Sequence, residues 1–313
     1  MTRVEKLMKA DKPWIADAGL ETVMIFLEGI DLPNFASFVL LDSKTGTDAL
    51  TRYFEKFAHL AQKAGTGLVL DTATWRANMG WAGAMQLDAS AIRLANLQAT
   101  AFARACRDRH ESDRLPILVN GVLGPSGDGY RVDTTLTATE AEDLHAVQIA
   151  ALAEGGVDLV SAVTMTYPAE AIGIARAAKR QSLPHVLSFT LETDGNLPNG
   201  QTLQAAITEV DAATDASPLF YMVNCAHPTH FRHVLDGDWV QRIGGIRANA
   251  SRLSHAELDV MTELDDGDPA EFGDLYRDLG HLLPNLRLIG GCCGSDHRHV
   301  GAASGHLHHV HAA

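Results

Sequence analysis

The sequence predicts a single (β/α)8 TIM barrel of the α/β class spanning residues 1–313, on three observations. Its 313 residues are long for one ordinary domain and typical of one such barrel. Short, nearly continuous apolar runs recur eight times, as parallel strands buried on both faces require. Amphipathic helical patterns lie between them, and alternation of strand and helix is how these barrels are built. A doubly wound open sheet is the alternative. It would more often carry a Gly-rich phosphate loop after its first strand, and "DAGLET" (17–22) is not G-x-G-x-x-G.

The first strand falls in "PWIADAG" (13–19), and residues 23–46 read as a long connection lying over the barrel mouth. A helix over 47–65 follows, with Leu50, Phe54, Phe57 and Leu60 on one face and Gly65 at its end. "TGLVLDTAT" (66–74) is the second strand and 89–110 a second long helix, with Cys106 on its core face. "LPILVNGVLGP" (115–125) precedes a helix that starts at Thr137 or Thr139, with acids in its first turn and Gly-Gly after its last. Strands at 157–165, 184–192, 218–227, 242–250 and 286–294 complete the eight, with further helices at 169–181 and 269–283. The His-rich end, about 301–313, reads as a loose solvated tail.

A formal charge of -14 argues against a basic patch for nucleic acid or anionic membrane. "MTRVEKLMKADKPW" holds no apolar core of a signal peptide, and no run approaches the roughly 18 apolar residues of a membrane span. Four cysteines in 313 residues are no secreted disulfide framework. The expectation is a cytoplasmic protein with free thiols, acting on small molecules, and homo-oligomerisation is compatible with it.

Two of those cysteines stand side by side in "IGGCCGSD" (289–296). Adjacent cysteines rarely bridge each other, since their Cα atoms are only about 3.8 Å apart. In a barrel, residues at the C-terminal ends of strands form the active site. Strand six ends in Cys225 and strand eight in Cys292 and Cys293, so three thiols converge on one rim. Three thiolates repel unless a cation holds them, and Zn²⁺ suits sulfur and tetrahedral geometry. Gly290, Gly291 and Gly294 let the backbone turn so that successive cysteines reach one ion. Three protein ligands leave a fourth position open, the catalytic pattern. An electron-rich Zn(Cys)3 site is a poor Lewis acid for hydrolysis, but it can hold an incoming thiol as thiolate. The chemistry that follows is alkylation of that sulfur by an activated carbon.

Over almost its whole length the chain resembles the homocysteine S-methyltransferase family. The resemblance rests on "DAGLET" (17–22), "DTATW" (71–75), "GPSG" (124–127), "VNCAHP" (223–228), "ANAS" (248–251) and, most specifically, "LDDGDPAEFGDLYRDL" followed by "IGGCCG". It implies a barrel, one Zn²⁺ on Cys225, Cys292 and Cys293, methyl transfer to a thiol, and a role in methionine biosynthesis. It further implies that Asp17 and the backbone after it, at Ala18, help hold an amino-acid acceptor, with Asn249 lining the same mouth. Ala18 stands where the family usually has Gly. Val163, in "VTMTYPAEA", stands where the family has a Glu expected to pair with the acceptor's ammonium. Loss of such a contact, about 1.5–3 kcal/mol, weakens binding tenfold or more. Either the acceptor is not homocysteine itself or another acid takes over, with Glu21 and Glu192 as candidates.

Corrinoid- and folate-dependent relatives use further domains or partner proteins, so a free onium donor is favoured: S-methylmethionine, S-adenosylmethionine or a betaine. Trp75, Trp81 and Tyr167 could form an aromatic wall for it through cation–π attraction. Two other readings stand beside this one. One is a methyltransferase subunit of a corrinoid-dependent system, and the other a non-catalytic zinc-binding barrel.

Overall fold

The computed structural model describes residues 1–309. Eight parallel strands close in sequential order into a barrel. They are β1 (Trp14–Ile15), β2 (Leu68–Asp71), β3 (Ile117–Leu123), β4 (Leu159–Met165), β5 (His185–Thr190), β6 (Tyr221–Asn224), β7 (Ile243–Ala248) and β8 (Leu288–Gly291). Closure is made by β1, whose Trp14 and Ile15 pair with Leu288 and Ile289 of β8 while Ile15 also faces Leu68 of β2. Every strand residue is buried, which explains why the strands read as unbroken apolar strings rather than as alternation.

The main helices are α1 (Lys44–Ala64), α2 (Ala89–His110), α3 (Ala138–Gly155), α4 (Pro168–Arg180), α5 (Leu203–Thr214), α6 (Pro269–Leu282) and α7 (His297–His309). Their ends follow local chemistry. Ser43, Asp88, Thr137 and Thr202 each accept a backbone N–H of the first turn, and Thr137 forms a capping box with Glu140. Gly65 closes α1 in the left-handed conformation, with φ of 65°. Cys106 is buried on α2 among core residues.

Two expectations are corrected. Eight full strand–helix repeats do not form: after β6 there is only the four-residue helix Pro228–Phe231 and 3-10 turns. Residues 225–242 are instead spent on these short turns, although the β4–β5 connection, of nearly the same length, carries the full helix α4. Residues 301–309 are not a loose tail but the second part of α7, which packs on α6 and α1. Val300 and Ala303 of that helix are buried, and His308 Nε2 reaches the Pro13 carbonyl at 2.8 Å. Residues 310–313 lie outside the described residues.

The core has two layers. Between strands and helices lies the larger one, with Leu50, Phe54 and Phe57 of α1 against Ile15, Leu68 and Leu70. Inside the barrel, Trp14, Val69, Leu118, Leu159, Val186, Phe220, Met222 and Leu288 pack together, joined by Leu7 from the short helix Arg3–Met8. At the other end of the strands two helix tyrosines satisfy strand-end backbone. Tyr53 Oη accepts the Ala18 N–H at 3.1 Å. Tyr276 Oη accepts the Ala248 N–H at 2.9 Å and donates to the Gly290 carbonyl at 2.6 Å, strapping β7 to β8. Tyr276→Phe leaves those backbone groups buried and unpaired. It is expected to lower stability by about 1–3 kcal/mol in urea unfolding, and an unchanged midpoint contradicts the strap.

Candidate active site and thiol cluster

A cavity of about 560 Å³ opens at the C-terminal ends of the strands. The β1–α1 connection lies over its mouth, lending Phe26, Leu32 and Phe35 to the lining, with Met261 from the loop between β7 and α6. Phe26 and Phe35 stay substantially exposed. The lining carries seven carboxylates against two arginines, so the chamber attracts cations.

At its floor the sulfurs of Cys225, Cys292 and Cys293 all lie within 4.8 Å of one another, a group that could hold a metal ion. Cys225 follows β6 with φ of 52°, and Thr164 near the end of β4 has φ of 64°. Left-handed backbone at non-glycine residues, one of them β-branched, is costly and collects at functional sites. Asn224 holds the second of these: its Oδ1 accepts from Thr164 N at 2.9 Å and Ser188 Oγ at 2.6 Å, and its Nδ2 donates to Thr164 Oγ1 at 2.9 Å. The Cys225 carbonyl accepts from Asn249 Nδ2 at 3.2 Å and from His255 Nε2 at 2.5 Å. His255 in turn contacts Glu192 Oε1 at 3.1 Å and stacks on Tyr130 at 4.1 Å. Tyr130 Oη lies 3.1 Å from Cys293 Sγ. Burial pushes both the Tyr130 hydroxyl and the Cys293 thiol up from their ordinary values.

The glycines of "GGCCG" act differently from one another. Gly294 turns left-handed, with φ of 77°. At Gly290 a Cβ would meet the Asp17 carbonyl oxygen at 2.6 Å, so that glycine serves close approach of strands β1 and β8.

Of the three thiols expected free, Cys225 and Cys292 lie close enough to pair as a disulfide and Cys293 is free, and the three sulfurs together remain a group that could hold a metal ion. The Cα atoms of Cys225 and Cys292 are 5.4 Å apart, inside the range a disulfide spans. Geometry that gathers sulfurs for a metal also brings them within bonding reach of each other. Neighbouring sulfurs on a tetrahedral ion with Zn–S bonds of about 2.3 Å sit about 3.8 Å apart. The donor set therefore fits such an ion once the bridge is reduced.

Beside the sulfurs lies a buried ion-pair triad. Arg247, on β7, pairs through Nη2 with Asp17 and through Nη1 with Asp71, and all three are at most 7% exposed. Burial lowers the guanidinium's pKa, but the carboxylates of Asp71 and Asp17 more than compensate and hold it above its ordinary value. Burial and the Asp71 charge push Asp17 well up, against the pull of Arg247, because one cation is shared by two carboxylates.

A sequence model of the Homocysteine S-methyltransferase family matches residues 14–307, nearly the whole chain. The chain belongs to the homocysteine S-methyltransferase family. Solved structures of the homocysteine methyltransferase MmuM from Escherichia coli share the fold. Its oxidised form superposes with a TM-score of 0.76 at 19% identity, covering 97% of this chain and 99% of that one. The metallated form gives 0.73 at 19% identity over the same coverage, and the apo form 0.66 at 17% over 97% and 100%. By family this chain is a methyltransferase, and no helix among its described residues is long and apolar enough to cross a membrane.

Of the residues that the family resemblance singles out, Asp17, Ala18, Glu21 and Trp75 line the cavity with the three cysteines. Asp17 does so with its carboxylate already paired to Arg247. Glu21 keeps one oxygen on Ser37 Oγ at 2.8 Å, and burial raises its pKa. Asn249 does not line the mouth: its amide is turned to the Cys225 carbonyl, and its Oδ1 is buried with no partner. Glu192 is also outside the lining, committed to His255. The aromatic wall is corrected as well. Trp75 and Trp81 face the guanidinium of Arg76, at 3.8 and 3.7 Å, so the chain's own cation fills the place between them. Tyr167 lies outside the lining, its hydroxyl taken by the Leu136 N–H at 3.0 Å. Sequence reading missed Arg76, Tyr130, Asn224 and Arg247. Only Arg247 carried a signal, as a charge inside a fully buried strand string that demands partners.

Arg247→Met leaves two carboxylates buried without a cation and is expected to cost about 3–5 kcal/mol in denaturant unfolding. Adding Asp17→Asn and Asp71→Asn should recover most of the loss, and a triple variant no more stable than the single one contradicts the pairing. His227, just after Cys225, caps the helix Pro228–Phe231 and is depressed from 6.5 to about 4, chiefly by burial. A base lowered in the folded state stays neutral there while the unfolded chain takes up protons. Stability is therefore full above about 6.5 and falls toward pH 4, by up to about 3 kcal/mol. In His227→Asn, which keeps a capping side chain, that part of the slope should vanish from unfolding measured across this window.

Proposed function

We propose that this protein is a zinc-dependent S-methyltransferase that moves a methyl group from a small onium donor to a homocysteine-like thiol. The observation that carries the reading is the convergence of three cysteine sulfurs within 4.8 Å at the floor of an acid-lined cavity, in a member of this family. Cys225, Cys292 and Cys293, once reduced, are the ligands. Bound Zn²⁺ would lower the acceptor thiol's pKa and hold it as thiolate at neutral pH.

The chain's own residues supply positioning. Asn249 and His255 hold the Cys225 carbonyl, and Asn224 holds Thr164 beside it, so the floor is organised before any ligand arrives. The Tyr130 hydroxyl, 3.1 Å from Cys293 Sγ, packs against that sulfur and could donate to it as thiolate. Cations are drawn in by the surplus of carboxylates, of which Asp259 and Glu263 are exposed at the outside. This favours an onium donor by charge rather than by an aromatic cage. In the reaction the thiolate sulfur's electron pair forms the new C–S bond. The donor's bond from methyl carbon to onium centre breaks, and its pair leaves with the now neutral remainder.

Val163 sits in the barrel interior and lines the cavity, offering no charge to an ammonium group. Glu21 lines it too and takes over that role in this reading; Glu192 does not reach. The test is zinc K-edge absorption on reduced protein, with and without a panel of thiols, followed by methyl transfer from S-methylmethionine with no protein partner added. About three sulfurs on zinc, a fourth gained with homocysteine, and methylated product support the proposal. Zinc that is not retained, or a shell that ignores every thiol, overturns it. Each single Cys→Ser change at the three positions should cut zinc retention at least tenfold.

A further inference from the structure

Arg76 is a buried cation in the same cavity that nothing in the protein neutralises by contact. It is 6% exposed, yet no carboxylate of the described residues lies within ion-pairing distance, 4.0 Å. Its Nη1 donates to the Gly127 carbonyl at 3.1 Å, and its Nε is buried with no acceptor at all. The guanidinium carbon sits over the rings of both Trp75 and Trp81, at 3.8 and 3.7 Å from their centroids. Contact with two rigid rings restrains where the guanidinium lies in the cavity wall. Glu21, Asp128 and Tyr130 are near enough to act on it electrostatically, but burial dominates and lowers its pKa to about 10.

A guanidinium is kept unpaired and dry only at a cost, since its donors have no substitute for water. The arrangement holds the fork rigid for a planar oxyanion, the geometry in which arginine binds a carboxylate through two parallel hydrogen bonds. It also places the chain's own cation against Trp75 and Trp81, where a ligand cation would otherwise sit.

We propose that Arg76 is a specificity-determining anchor for a carboxylate carried by one of the two substrates, presented to the cavity by Trp75 and Trp81. This rests on the methyl-transfer reading for the substrates' identity, though not for the binding itself. An amino-acid acceptor and an amino-acid or betaine donor both carry such a group, and the experiment separates them.

The experiment is titration calorimetry on reduced, zinc-loaded protein with matched pairs. For the acceptor the pair is homocysteine against 3-aminopropane-1-thiol, which lacks only the carboxylate. For the donor it is S-methylmethionine against (3-aminopropyl)dimethylsulfonium, which likewise lacks only the carboxylate. One pair should show at least tenfold tighter binding of the carboxylated member, and Arg76→Gln should reduce that ratio toward one, while Arg76→Lys keeps part of it. A ratio in the thiol pair assigns the anchor to the acceptor, and a ratio in the sulfonium pair to the donor. No ratio in either pair of the unaltered protein overturns the proposal without relying on any variant's folding. So does a ratio that survives in a folded Arg76→Gln. If the Arg76-dependent ratio is present but no methyl group moves, the methyl-transfer reading fails and the anchor stands.

Discussion

The pairing of Arg247 with Asp17 and Asp71 is the constraint on which the site depends. It ties the ends of three strands, and its members also carry the backbone that positions the sulfurs. The Asp17 carbonyl accepts the Gly291 N–H at 2.9 Å, and the Arg247 carbonyl accepts the Cys225 N–H at 3.2 Å. The Ala248 carbonyl, next in β7, accepts the Cys292 N–H at 2.8 Å. Charge pairing and cysteine placement are thus one assembly rather than two. A buried ion pair is weak evidence for stability as such, because desolvation offsets its attraction. Here it specifies an arrangement: three strand ends in fixed register, with a surplus negative charge facing the cavity.

That surplus shapes what the chamber accepts. One cation shared by two carboxylates, together with acids from the surrounding loops, makes the cavity attractive to positive groups. The aromatic rings that would ordinarily serve the same end are engaged with Arg76 instead. The chamber therefore separates its functions in space. Diffuse negative potential covers most of the wall, and one oriented positive fork stands on the side built by Trp75 and Trp81. On the proposed reading, a carboxylated onium ligand would meet complementary charge at both of its ends.

How much of this was legible in the sequence depends on the range of the causes. The barrel was legible because buried parallel strands write themselves as apolar strings, and because Ser43, Thr137 and Gly65 are local signals read within a turn. The thiol cluster was legible because topology alone carries Cys225 and the Cys292–Cys293 pair to one rim. The missing helix after β6 was not, since residues 225–242 are nearly as many as 166–184, which carry α4, and a proline stands near the start of both stretches. Which face of Asn249 meets the cavity is a side-chain rotation, set by the Cys225 carbonyl and written nowhere in the local pattern. The capture of Arg76 by two tryptophans inverted the expected role of those rings for the same reason.

The barrel seam has a consequence for how the protein comes into being. β1 closes on β8, and Asp17 meets Arg247 across 230 positions of sequence. A chain emerging from the ribosome has made Asp17 and Asp71 long before it makes Arg247, and Cys225 before its partners. Until β7 and β8 arrive, the early strands hold two acids destined for burial with no counter-charge, which disfavours premature compaction of that face. Contacts of such long separation are formed late and slowly. The thiol cluster therefore cannot assemble until β8 has been made, however early the first seven strands appear.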